Sequence, residues 1–257
     1  MNNEKKKSYK IVNINGFKIS YLHRPKLENG PKISVIFLAG YKSDMYGTKA
    51  IFLDELSKKI GFEFLRFNYS GHGTSDGEIK KQLLSDWVIE ANYFIRKLSY
   101  PTIIVGSSLG GWIAVILLKK VKKKILGIIG IGAAPDFTYD ILKSLSLNEK
   151  KAYKNKGYIL IKSNYDAQPY TFTKKFIEDS KKNFVLEKPL KINTKIVLLY
   201  GLLDEAVQLE KQLKILKTLK TQHARLIISK NSDHRMSSHS DLKLLEQTIK
   251  NMITENL

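Results

Sequence analysis

Ser108 sits at the centre of Gly106-Ser107-Ser108-Leu109-Gly110, a Gly-x-Ser-x-Gly run. Ile103, Ile104 and Val105 before it are β-branched and uninterrupted, the pattern of a strand buried on both faces. From Leu109 onward Trp112, Ile113, Ile116 and Leu117 recur at helical spacing. The serine is therefore expected on a strand-to-helix turn. Such a turn lifts a hydroxyl clear of the sheet edge, and a glycine two residues away on either side leaves it room. The chemistry open to it is acyl transfer: attack on a carbonyl carbon, with the first helical N–H, that of Leu109, aimed where the oxyanion forms.

A serine hydroxyl needs a base, and the chain offers five histidines: His23, His72, His223, His234 and His239. In open α/β sheets catalytic groups lie beyond the carboxyl ends of strands. His234 meets this condition, since it follows strand 225–229 by a short polar loop and precedes the last helix. His239 lies further along, by the helix start. His23 falls in an N-terminal hairpin, and His223 stands at the wrong end of its strand. His72, between two glycines after a strand, has a place at the correct rim. It leaves nothing downstream to complete a serine–acid–histidine order, so it is read as a loop-shaping residue. The acid is expected between serine and histidine, again after a strand. Asp204 in Tyr200-Gly201-Leu202-Leu203-Asp204-Glu205 fits, with Asp136 as its rival and Glu205 facing solvent. The second oxyanion donor is expected in the loop after strand 33–38, as the N–H of Tyr41. The histidines are dispersed, there is no carboxylate cluster, and neither a metal nor a cofactor is expected.

The elements that must position these groups follow from periodicity. Tyr9–Ile14 and Phe17–His23 flank Asn15-Gly16, a hairpin signal. Strands are expected at 33–38, 62–67, 102–106, 125–131, 196–200 and 225–229. The helices between them begin near Thr48 (read as a cap), Leu84, Leu109, residue 208 and Asp241. Strand–helix alternation of this kind gives a mainly parallel eight-stranded sheet with helices on both faces. Residues 136–190 break the rhythm with Lys, Asn, Tyr and Ser and two weakly amphipathic stretches, near 138–153 and 173–185. They read as a cap inserted into a single domain of residues 1–257. Its aromatics, Tyr153, Tyr158, Tyr165, Tyr170 and Phe172, are read first as cap core and only second as an acyl pocket.

The chain has no cysteine, which excludes disulfides and a thiolate nucleophile. No signal peptide and no apolar run long enough to span a bilayer are visible, so a cytoplasmic protein with no transmembrane segment is expected. The net charge is +20, yet 39 of the 44 basic residues are lysine and they form no single stripe. The densest group, Lys119, Lys120, Lys122, Lys123 and Lys124, closes the helix after Ser108, where cations suit the helix dipole. No specific nucleic-acid partner is expected, only weak attraction to anionic surfaces. Oligomeric state is not legible.

Four stretches carry a resemblance: Phe37-Leu-Ala-Gly-Tyr41 with Gly47-Thr-Lys-Ala50, Arg66-Phe-Asn-Tyr-Ser-Gly71 with Ser75-Asp-Gly77, Val105-Gly-Ser-Ser-Leu-Gly-Gly-Trp112, and Ser232-Asp-His-Arg-Met236. With them the chain resembles the α/β-hydrolase superfamily, and within it the group of mitochondrial acyl-glucuronide esterase and palmitoyl-protein thioesterase enzymes. The likeness covers roughly 33–135 and 195–250 and is weak in the cap. It implies the α/β-hydrolase fold, a triad of Ser108, Asp204 and His234, and a small-molecule or acylated ester or thioester substrate. Asn68 stands where that family commonly has aspartate, and Gln208 where it often has proline.

Overall fold

A computed structural model describes residues 9–121, 124–163 and 168–255. β1 (Lys10–Ile14) and β2 (Phe17–Arg24) form the expected antiparallel hairpin. Asn15 and Gly16 turn it with φ of 52° and 87°, the left-handed pair that a two-residue hairpin turn requires. β3 (Ser34–Leu38), α1 (Thr48–Ile60), β4 (Glu63–Phe67), α2 (Leu84–Lys97), β5 (Thr102–Ser107), α3 (Leu109–Lys120) and β6 (Ile125–Ile131) follow. Thr48 is the first residue of α1 rather than its cap. Gly47 takes the capping position without a side-chain bond.

Residues 136–190 lie between the two runs of strand–helix alternation and contain more structure than two helices. α4 (Phe137–Ser144) and α5 (Leu147–Lys156) are separate, because Ser146 and Glu149 form a reciprocal cap that starts a new helix. β7 (Tyr158–Ile161) and β8 (Tyr170–Thr173) pair antiparallel, and α6 (Lys174–Lys182) closes the unit. β9 (Leu190–Lys191) pairs later with the short β11 (Leu219–Lys220). β10 (Lys195–Gly201), α7 (Leu209–Thr218), β12 (Ala224–Ser229) and α8 (His239–Thr254) restore the alternation. Gln208 caps α7 without a side-chain bond, so the departure there is confined to a helix start.

The eight strands lie in the order β1-β2-β4-β3-β5-β6-β10-β12. β1 and β2 run antiparallel, and the six from β4 to β12 are parallel. Every residue of β3 and β4 is buried, as strands covered on both faces require. Helices pack over the sheet, α2 against α3 and α1 against α8. The carboxyl ends of β3, β5, β6, β10 and β12 therefore share one rim.

Asp136, the rival acid, does different work. Its carboxylate accepts from the N–H groups of Val185 (3.0 Å) and Leu186 (2.8 Å), tying the start of the cap to its end. Trp112 Nε1 donates to the Asn183 carbonyl (3.1 Å), and Asp179 of α6 accepts from the amide and hydroxyl of Ser85 on α2. This segment is thus bonded to α2 and α3 on two sides. Of its aromatics, Phe172 is buried and Tyr153 and Tyr170 half-buried against the core. Tyr158 is exposed, and Tyr165 lies outside the described residues. Lys119 and Lys120 are solvated at the end of α3. Lys124 instead reaches the carbonyls of Leu98 and Arg96 at the end of α2, and Lys122 and Lys123 lie outside the described residues.

Candidate functional site

Ser108 has φ 51° and ψ −112°, a conformation that L residues rarely adopt. Its surroundings hold it there. Its amide donates to the Ile131 carbonyl (2.9 Å), and its carbonyl accepts from Ala134 N–H (3.1 Å) and opens α3 through Gly111 N–H (3.0 Å). The motif glycines are obligatory on contact grounds. A Cβ on Gly110 would stand 2.0 Å from the Leu38 carbonyl oxygen, and one on Gly106 would stand 2.5 Å from that of Gly110. Helix α3 can approach β3 and β5 this closely only without side chains there. Leu109, fully buried, supplies the first N–H of the helix.

Gly40 and Tyr41 follow β3 beside the serine. A Cβ on Gly40 would lie 3.5 Å from that of Ser108. The Gly40 carbonyl accepts from Ser43 N–H (3.1 Å), closing a turn. In a trans peptide N–H and C=O point oppositely, so the Tyr41 N–H is directed away from the turn interior. The Tyr41 ring packs against His72, Trp87, Tyr170, Phe172 and Phe176, and its hydroxyl donates to the Thr171 carbonyl of β8 (2.9 Å). Burial pushes that phenol well above the ordinary tyrosine range, so it stays protonated. The far end of the loop is fastened by two residues of the Arg66–Gly71 stretch. Arg66 Nη1 donates to the Met45 carbonyl (2.6 Å), and Asn68 Oδ1 accepts from Met45 N–H (2.8 Å). Asn68 Nδ2 also donates to the hydroxyls of Ser20 and Thr74, two bonds that an ionised aspartate could not donate.

Asp204 follows β10 and is buried. Its Oδ1 accepts from Ala206 N–H (2.9 Å) and Val207 N–H (2.8 Å), and its Oδ2 from His234 Nδ1 (2.7 Å). Three donors satisfy this buried carboxylate. An acceptor on Nδ1 fixes the tautomer, so the lone pair of the ring is on Nε2. The ring lies against Gly132: a Cβ there would stand 3.0 Å from Nδ1. Gly132 lies in the segment after β6 whose Ile131 carbonyl and Ala134 N–H are both bonded to the Ser108 backbone. The structure thus brings the groups following β5, β10 and β12 to one place. Glu205 is exposed. His23 is bonded to Glu63 (2.9 Å) on the sheet's outer strands, His223 precedes β12, and His239 is the first residue of α8.

Sequence reasoning missed one contributor. Lys49, in the Gly47–Ala50 stretch, donates to the Arg235 carbonyl and to Ser237 Oγ (3.3 Å), pinning the histidine loop to α1. The partners are 186 and 188 positions away, beyond any local signal. Burial pushes its pKa down to about 8, opposed by Asp233 and Asp241 and reinforced by Arg235. The ammonium is therefore lost as pH rises through about 8, and with it the charge-assisted bond. The expected result is a kcat that declines above that pH. Lys49→Arg should abolish the decline, and Lys49→Met should lower kcat roughly tenfold below that pH, an amount equivalent to one charged hydrogen bond, with the difference from the parent shrinking above it.

Parallel strands that deliver a serine, an acid and a histidine, in that chain order, to one rim make this an α/β-hydrolase. A putative hydrolase from Agrobacterium vitis superposes with a TM-score of 0.88 at 32% identity, over 96% of this chain and 98% of its own. The mouse alpha/beta hydrolase domain-containing protein 10 does so with a TM-score of 0.89 at 28% identity, over 97% and 100%. The chain belongs to the family described as "Serine aminopeptidase, S33", whose model matches residues 29–183. Human mitochondrial palmitoyl-protein thioesterase ABHD10 is 33% identical over 244 residues, 91% of this chain and 80% of that one. The likeness to this group thus extends through the cap. The protein is a hydrolase, and no helix among its described residues is long and apolar enough to cross a membrane.

Proposed function

We propose that the chain is a serine hydrolase of carboxylic esters and thioesters. Ser108 Oγ attacks the acyl carbon while His234 Nε2 takes its proton, and Asp204 stabilises the imidazolium. The N–H groups of Leu109 and Tyr41 receive the oxyanion. His234 then protonates the departing thiol or alcohol, leaving an acyl-Ser108 that water cleaves by the same steps in reverse order. The observation that carries this reading is the Asp204–His234 bond at 2.7 Å, against the loop to which the Ser108 backbone is bonded.

An apolar acyl group is supported by the rings around Tyr41. Phe172 and Phe176 of the cap pack on it, and Phe137 packs on both. The thioesterase name of the human relative points to the same substrate class. The family description, an aminopeptidase, favours an amide as the second reading. A panel of matched acyl thioesters, oxygen esters and anilides of increasing chain length decides between them. Thioester and ester turnover rising with chain length is expected. Anilide turnover exceeding both would transfer the assignment to amides. The sequence alone points to the cytoplasm, whereas the human relative is named mitochondrial; fractionation of cells making the tagged chain distinguishes the two.

A further inference from the structure

His72 is buried, belongs to no part of the acyl-transfer machinery, and touches the oxyanion loop. Its ring packs between Tyr41, Tyr69 and Trp87, with centroids 6.2, 5.6 and 5.1 Å away. Nδ1 faces the Ser70 carbonyl (3.1 Å), and Nε2 faces the Lys42 N–H (3.2 Å). A carbonyl only accepts and an amide N–H only donates, so the ring is neutral with its proton on Nδ1. Ser70 is itself fixed. Its carbonyl also accepts from Trp87 Nε1 (3.0 Å), and its N–H donates to Glu90 Oε2 (3.0 Å). The imidazole is thus a rigid acceptor presented to one peptide of the loop.

That peptide is a strained one. In the turn closed by Ser43 N–H to the Gly40 carbonyl, Lys42 is the third residue and has φ 57°, while Tyr41 is not among the positive-φ residues. Positive φ at this position alone is the type II pattern, which ordinarily calls for glycine. A lysine relaxes to negative φ by flipping the Tyr41–Lys42 peptide, which changes ψ of Tyr41 and disturbs the turn that sets the direction of the Tyr41 N–H.

We propose that His72 is a positioning residue for acyl transfer: by holding the Lys42 N–H it keeps the Gly40–Ser43 turn in the form that aims the Tyr41 N–H at the oxyanion on Ser108. This rests on the serine-hydrolase reading above. Burial pushes the His72 pKa down to about 4, against the pull of the Ser70 carbonyl and Asp44, so the acceptor persists throughout the working range of a serine–histidine pair.

The test uses the full chain, an activated acyl ester, a trifluoromethyl ketone that forms an oxyanionic adduct on serine, and the carboxylate product. His72→Leu should lower kcat about 30- to 100-fold with KM within about twofold, somewhat less than the loss of a whole oxyanion donor. Ketone affinity should fall by a similar factor while product affinity holds, since only the former needs the donor. His72→Gln, which presents a carbonyl at similar reach, should keep activity within about fivefold of the parent. Lys42→Gly in the His72→Leu background should restore about tenfold, because glycine holds positive φ without help. If the leucine variant does not fold, His72→Asn, too short to reach Lys42, is read in the same way. A folded variant with kcat within about threefold of the parent, or a loss that Lys42→Gly does not relieve, overturns the proposal. Absence of a fluorophosphonate adduct on Ser108 in the parent enzyme would instead overturn the serine-hydrolase reading.

Discussion

Ser108→Ala should bring turnover of a p-nitrophenyl ester to background, a loss of about 10⁴-fold or more. Melting temperature should change little, because the strained φ of 51° is imposed by backbone bonds to Ile131, Ala134 and Gly111 that alanine keeps. In the proposed mechanism, removing only the hydroxyl deletes the nucleophile and leaves the oxyanion donors in place. Steady-state kinetics on the purified variant, with a thermal melt alongside, measures both quantities. Residual activity within about tenfold of the parent would show that the acyl group is transferred elsewhere.

Asp204→Asn should lower kcat by three to four orders of magnitude (roughly 10³- to 10⁴-fold) with KM nearly unchanged. The amide oxygen can still accept from Ala206 and Val207, so the loop after β10 is retained. The amide nitrogen then faces His234 Nδ1, where the carboxylate oxygen accepted at 2.7 Å. Two donors cannot face each other, so the ring takes its proton on Nε2 and offers Ser108 an N–H instead of a lone pair. The imidazolium also loses its counter-charge. Proton NMR of the downfield imidazole signal, read with kcat at several pH values, checks the tautomer and the rate together. An equal loss in Asp136→Asn would speak against this division of roles, since Asp136 is engaged with Val185 and Leu186 at the cap.

The parts of the fold legible in the sequence are those whose burial is two-sided or strictly periodic. β5 and β6 are runs of β-branched residues with a glycine break, and the turn after β5 is written into the Gly106–Gly110 spacing. Position after a strand, combined with serine–acid–histidine chain order, points to Asp204 and His234. The cap was less readable because its stabilising groups are tertiary. α4 and α5 look like one weak amphipathic stretch unless the Ser146–Glu149 pair is recognised as a helix start. β7 and β8 bury little and carry exposed Tyr158 and Leu160, so their alternation is faint. β9 and β11 are two residues each and exist only through their pairing. At the site, the bonds from Lys49 to the histidine loop and from His72 to Lys42 join segments that share no local pattern. The motif residues Arg66 and Asn68 were visible, but their task of fastening Met45 was not.

The central claim is that a carbonyl carbon becomes bonded to one particular oxygen. Mass spectrometry of the enzyme quenched during turnover of a long-chain acyl thioester, followed by peptide mapping, reads that bond directly. An acyl adduct on the peptide carrying Ser108, accumulating in His234→Ala only on a far longer timescale and absent from Ser108→Ala, is the expected result. Thioester hydrolysis that proceeds with no adduct on Ser108, or with the acyl group on another residue, would contradict it.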